Sequence, residues 1–189
     1  KILSFFFFFC IYCVYFVQLD REHWFAPMVD RSGNPNPNQK VYLSTSRVTP
    51  FPLSIYNNNL LIGTVNISKN NPQKFDILRN YIITNLQTDL FTPTSKGIYL
   101  KADFPFYANL RFSVYNHAEI ITSKGIASTG NNFYAAFAPI TVSNTILNFM
   151  TSILATQDNT TVTLSGYKST TQFSNGTTGA TNPTITFTL

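Results

Sequence analysis

The sequence predicts an all-β protein, an antiparallel β-sandwich, and three observations carry that expectation. Charged residues are only 11% of the chain, against roughly 25% in an average soluble domain. The polar content is Asn, Thr and Ser instead, which suits pleated strands and the turns between them. Short runs alternating apolar and polar residues recur about every 8–12 residues with turn residues between, the spacing of a sandwich or barrel. No Ala/Leu/Glu/Lys-rich stretch long enough for a major helix interrupts them. At 189 residues the chain can bury a core without a metal or cross-links.

The first segment reads as an address. Lys1, Ile2-Leu3-Ser4, the phenylalanines from Phe5 to Phe9, and Cys10 to Val17 give a basic start and an apolar run of about 16 residues, as in a secretory signal peptide. A permanent membrane helix needs about 20 apolar residues, so residues 1–17 are expected to be a signal peptide, with a retained anchor as the alternative. Both cysteines, Cys10 and Cys13, lie in this run. Their spacing resembles a redox or zinc half-site, but an apolar export segment gives it no such use. The mature chain, from Gln18, then depends on packing and sheet hydrogen bonds alone.

His23-Trp24-Phe25-Ala26-Pro27-Met28 is read as an approach segment, followed by a loop from Asp30 to Asn38, where two prolines cannot join a ladder. Lys40 to Ser46 alternates Val41, Leu43 and Thr45 against Tyr42 and Ser44. Leu53 to Ile55 follows, then a turn at Asn57-Asn58-Asn59, then Leu60 to Ser68 with Leu61, Gly63, Val65 and Ile67 on one face. Gly97 to Ala102, Tyr107 to Tyr115 and Ala118 to Ser123 are the next strands, the last two joined by a tight turn at Asn116-His117. Further strands are expected at Phe133 to Phe137, Leu147 to Thr156, Thr160 to Leu164 and Thr184 to Leu189. A faint echo of the 42–46 and 51–55 runs at 151–156 and 161–164 allows two tandem β units: a sandwich over 18–140, and over 141–189 either a second, truncated unit or a continuation of the first. The chain is expected to belong to a longer polypeptide.

Chemistry is sparse. The mature chain holds two histidines, His23 and His117, neither within a hydrolase signature, so a triad is not expected. Two distant histidines without cysteine make no zinc site, and no cofactor or metal is expected. Asp158-Asn159 reads as a turn, since a calcium loop needs more oxygen ligands in short order. A glycan hydrolase would need two of Asp76, Asp89, Asp103, Glu119 and Asp158 within about 10 Å in one cleft. Basic residues stand singly along the chain, which argues against nucleic-acid binding. The net charge of +5 still leaves weak attraction to acidic glycans or membranes. Trp24, the only Trp, is the candidate ligand contact, able to stack on sugar; its plainer role is to cover the bottom of the sandwich. Asn66, Asn159 and Asn175 head Asn-x-Ser/Thr sequons, which matter only where N-glycosylation operates.

Three landmarks carry a family resemblance: Val41-Tyr42-Leu43-Ser44-Thr45; Ile121 to Gly130 followed by Phe133-Tyr134-Ala135; and Asn148-Phe149-Met150 through Ala155-Thr156-Gln157-Asp158-Asn159-Thr160-Thr161-Val162. From Glu22 onward the chain resembles the N-terminal domain of large exported Bacteroidota proteins, the IgGFc-binding protein N-terminal family. The resemblance implies a β-rich module at the front of a multidomain surface protein, often one exported by type IX secretion. It implies no catalytic residue, and no ligand is carried over with the family name. The expected function is therefore a non-catalytic, secreted or cell-surface adhesion module. Its partner would be an extracellular glycan or protein, or further domains of the same polypeptide, with membrane contact only through the export segment. A structural spacer or filament subunit pairing through strand edges is the alternative.

Overall fold

The computed structural model describes residues 18–30, 39–84, 88–114, 117–136 and 149–189. The expected signal peptide at 1–17, all but Asp30 of the expected loop at 30–38, and Asn116 of the expected turn lie outside them. Among the described residues the strands run in order: β1 (Asp20–Phe25), β2 (Met28–Val29), β3 (Gln39–Ser44), β4 (Phe51–Asn57), β5 (Leu60–Ile67), β6 (Gln73–Ile77), β7 (Ile83–Thr84), β8 (Ile98–Val114), β9 (His117–Thr122), β10 (Thr161–Leu164) and β11 (Ile185–Thr188). One helical turn, α1 (Arg79–Ile82), precedes β7, and a 3-10 turn at Gly125–Ser128 follows β9. The fold is all-β and antiparallel, apart from the short parallel pair β2–β7.

The organising element is β8. The sequence suggests two separate runs here, yet 98–114 is one strand of 17 residues. Its first part pairs with β1 and β4, and its second with β3 and β9. The changeover lies around Pro105, which has no N–H to give to a ladder and sits where the β1 register shifts between Asp20 and Glu22. Strands that cross between sheets in this way make the corners of sandwiches and barrels. Two half-sheets result, β5-β4-β8-β1 and β6-β3-β8-β9, which together form the seven-stranded sheet. The alternation survives the crossing: Ile98, Leu100, Ala102, Phe106, Ala108 and Leu110 all face inward. They meet Leu53 and Ile55 from β4 and Val41 and Leu43 from β3 in one core, each large side chain adding about 1.5–3 kcal/mol.

Buried polar groups mend the ladder where it breaks. The Thr45 hydroxyl donates to the Pro105 carbonyl at 3.0 Å, and His23 Nε2 lies 2.8 Å from the Phe106 carbonyl. Gln39 extends the β3–β8 ladder with its side chain, taking the Ser113 N–H at 2.6 Å and donating to the Ser113 carbonyl at 3.0 Å. Asn57 ends β4 pointing inward, its amide donating to the carbonyls of Gly97 (2.8 Å), Ser95 (3.1 Å) and Tyr81 (3.3 Å). The turn after it falls on Asn58 and Asn59, whose φ of 44° and 65° are tolerated best by Asn and Gly.

Several expectations need correction. Leu61 does not share the face of Gly63, Val65 and Ile67. A bulge makes Tyr56 the partner of Leu61 while Ile55 pairs with Gly63, and the extra residue turns Leu61 outward. His23 to Phe25 is not an approach segment but part of β1, and β6 joins the sheet unannounced. No strand forms at 133–136 or 149–156 among the described residues. Tyr134 is 99% exposed, so that part of the apolar run packs on no core. The 151–156 half of the faint repeat therefore has no strand to match β3. β11 has its partner within the chain, pairing with β10 from Thr161↔Thr188 to Leu164↔Ile185. His117 is a strand residue, opening β9 opposite Val114; Asn116, the other half of the expected turn, lies outside the described residues.

Candidate functional site

Alternation along β1 decides where Trp24 goes. His23 and Phe25 are buried, so Trp24 projects from the opposite, outer surface. The ladder pairs Trp24 with Tyr99, Tyr99 with Tyr56, and Tyr56 with Leu61, setting one side chain from each of β1, β8, β4 and β5 in a single row. The rings of Trp24 and Tyr99 stack with centroids 5.4 Å apart and an interplanar angle of 18°. Tyr56 follows at 5.6 Å from Tyr99, tilted 31°. All three rings are half-buried, and Leu61 ends the row 53% exposed. Trp24 thus lies on the outer face of a half-sheet and does not cover the bottom of a sandwich.

A polar row runs beside the aromatic one. Glu22 pairs with Lys101, Lys101 with Ser54, and Ser54 with Thr64. Glu22 Oε1 accepts the Tyr99 hydroxyl at 2.8 Å and meets Lys101 Nζ at 3.2 Å. Burial, and then the hydrogen bond to Glu22, hold the Tyr99 hydroxyl protonated well beyond the ordinary phenol range, so it is a fixed donor. Both of these contacts fall on Glu22 Oε1. Apolar rings beside a carboxylate, a lysine and two hydroxyls match the chemistry of a sugar, whose C–H faces pack on aromatics while its hydroxyls hydrogen-bond.

Beneath this surface His23 is fully buried. Its ring meets Phe106 edge-on at 4.6 Å, and Nδ1 has no partner among the described residues. Desolvation outweighs the Phe106 carbonyl and Asp20, and lowers its pKa below 6.5. The neutral imidazole pins β1 to the corner of β8 and is no surface group. The carboxylates named for a hydrolase fall on separate elements. Asp76 on β6 pairs with Lys40 at 2.7 Å. Asp89, in the loop before β8, pairs with Lys96 at 2.7 Å. Asp103 is on β8, Glu119 on β9 and Asp158 in the turn before β10. Among the described residues no two of these share a cross-strand row, and no group of three or more His, Asp or Glu could hold a metal ion. The sequon asparagines Asn66, Asn159 and Asn175 are all exposed.

Trp24 was visible in the sequence as a lone Trp; Tyr56, Tyr99, Glu22 and Lys101 were not singled out as its companions. Their one local signal is position opposite buried neighbours in alternating runs, and the long-range register that unites them has no local signature. A scan against family models, a search of curated proteins and a search of solved structures each returned no match for this chain.

Proposed function

We propose that this chain is a non-catalytic recognition module of an exported or cell-surface protein, and that it binds glycan through the outer row of Trp24, Tyr99 and Tyr56. The observation that carries the reading is the row itself. Three half-buried rings in register on adjacent strands, beside Glu22, Lys101, Ser54 and Thr64, present alternate lines of apolar and hydrogen-bonding groups. Aromatic groups with two rotatable side-chain bonds, held by sheet neighbours, lose little entropy on binding. The apolar opening of the sequence and its resemblance to exported N-terminal modules support the cellular setting. Among the described residues no helix is long and apolar enough to cross a membrane.

A glycan array probed with the purified protein tests this. Trp24→Ala or Tyr56→Ala weakens the best hit by about tenfold, the loss of roughly one aromatic contact. Undiminished binding by both variants contradicts the reading.

A further inference from the structure

The two half-sheets turn chemically different surfaces to solvent. On the half built by β6, β3, β8 and β9, the inward positions are Ile77, Val41, Leu43, Ala108 and Leu110. The outward ones are therefore Lys74 and Asp76, Lys40 and Tyr42, Asn109 and Arg111, and Thr122 and Ile120. Register arranges them in two rows. One runs Lys74, Tyr42, Asn109, Thr122; the next runs Asp76, Lys40, Arg111, Ile120. Cations that stand singly in the sequence are gathered by pairing: Lys40 lies directly opposite Arg111, and Lys74 reaches the same face one row away. From strand spacing and rise, the backbones of all three fall within about 12 Å.

Three cations meet one carboxylate here, an excess of two positive charges. Asp76 is committed to Lys40 at 2.7 Å, and neither Lys74 nor Arg111 has an ion pair among the described residues. Like charges directly opposite one another across a ladder destabilise it, and an anion bound between Lys40 and Arg111 would relieve that repulsion. The neighbours suit a sugar acid. Tyr42 offers a ring 40% exposed. Asn109 Oδ1 is occupied by the Thr122 hydroxyl at 2.7 Å, so a ligand would meet Asn109 as a donor through its amide. Arg111 can grip a carboxylate or sulfate with two parallel N–H groups.

We propose that this face binds an acidic polysaccharide, with Arg111 and Lys74 as the principal anion contacts, Lys40 as their support, and Tyr42 and Asn109 taking the sugar ring and its hydroxyls. Three cations suit a polymer with one charge per sugar or two. Duplex nucleic acid, with a charge about every 1.7 Å, needs a longer basic track than this face provides. The proposal is independent of the aromatic row, which occupies the other half-sheet.

The test is affinity of the purified full chain for polygalacturonate and for duplex DNA, at about 50 mM and about 500 mM salt. The expected result is polygalacturonate binding that weakens steeply with salt, with Arg111→Gln and Lys74→Gln each costing about tenfold. Lys168→Gln, which removes the same charge from an exposed site outside this sheet, leaves affinity unchanged. Without ligand, Arg111→Gln melts at or slightly above the wild-type temperature, since it removes a like-charge pair. Equal losses from Lys168→Gln and Arg111→Gln would reduce the effect to net charge and overturn the proposal. So would unchanged binding by Arg111→Gln and Lys74→Gln, or tighter binding of DNA lost in the same two variants. Trp24 emission changing with neutral sugars, whatever happens with polygalacturonate, separates the fate of this face from that of the aromatic row.

Discussion

Replacing His23 by Phe isolates what one buried polar contact does for this fold. The change keeps an aromatic ring of similar size against Phe106 but removes the donor 2.8 Å from the Phe106 carbonyl, at the corner where β8 changes partners. Depriving a buried carbonyl of its donor costs about 1–3 kcal/mol. For a chain of this size that is a fall in Tm of about 2–12 °C. The pH dependence is more diagnostic. Burial lowers the folded pKa of His23 below 6.5, so below that pH the unfolded chain takes up a proton that the folded chain refuses. Stability conferred by the neutral imidazole is therefore full above about pH 6.5 and declines on acidification toward the folded pKa. Urea unfolding of wild type and His23→Phe, followed from about pH 7.5 to 5.5 where most carboxylates stay ionised, reads both effects. Wild type loses more stability than the variant across that window, and the gap between them narrows as pH falls. A gap that is constant or widens on acidification would refute the assignment of His23 as a neutral, buried tie.

Other substitutions probe other joints of the fold. A methyl group at Gly63 meets the ring of Phe75, where β5 comes against β6. Gly63→Ala should cost about 1–3 kcal/mol of overpacking, recovered in part when Phe75→Leu is added in a double-mutant cycle. Asn57→Asp turns an amide that donates to three carbonyls into a group that cannot donate at neutral pH. It should lower stability by at least about 2 kcal/mol in chemical denaturation, more than Ser54→Ala on the outer face of the same strand. Asp20 Oδ2 accepts the Ile126 N–H at 2.7 Å and thereby ties the 3-10 turn to β1. Asp20→Ala should speed hydrogen exchange at residues 125–128 while leaving exchange in β4 and β5 unchanged.

Local patterns made part of this architecture readable. Val41, Leu43 and Thr45 faced inward as their alternation required, and the Asn58-Asn59 turn followed from residues that tolerate positive φ. Two kinds of information were missing. A single inserted residue reverses a face, as at Ile62, and nothing in Leu60 to Ser68 marks where the insertion falls. A proline between two apolar runs reads as an interruption, whereas Pro105 sits in a continuous strand where no ladder bond is asked of it. At 133–136 and 149–156 the pattern overstated strand, because alternation alone does not bring a segment onto a sheet edge. The same limits applied to the surfaces. Trp24 stood out by its rarity, but its stack with Tyr99, and the convergence of Lys40, Lys74 and Arg111, exist only once strands distant in sequence are placed side by side.

Because Trp24 is the only Trp in the chain and belongs to the aromatic row, its fluorescence reports directly on the surface assigned to ligand. Titrating the purified protein with the best array glycan should shift Trp24 emission to the blue and saturate along the same curve as binding measured independently. A glycan that saturates the protein while Trp24 emission stays unchanged would place recognition elsewhere.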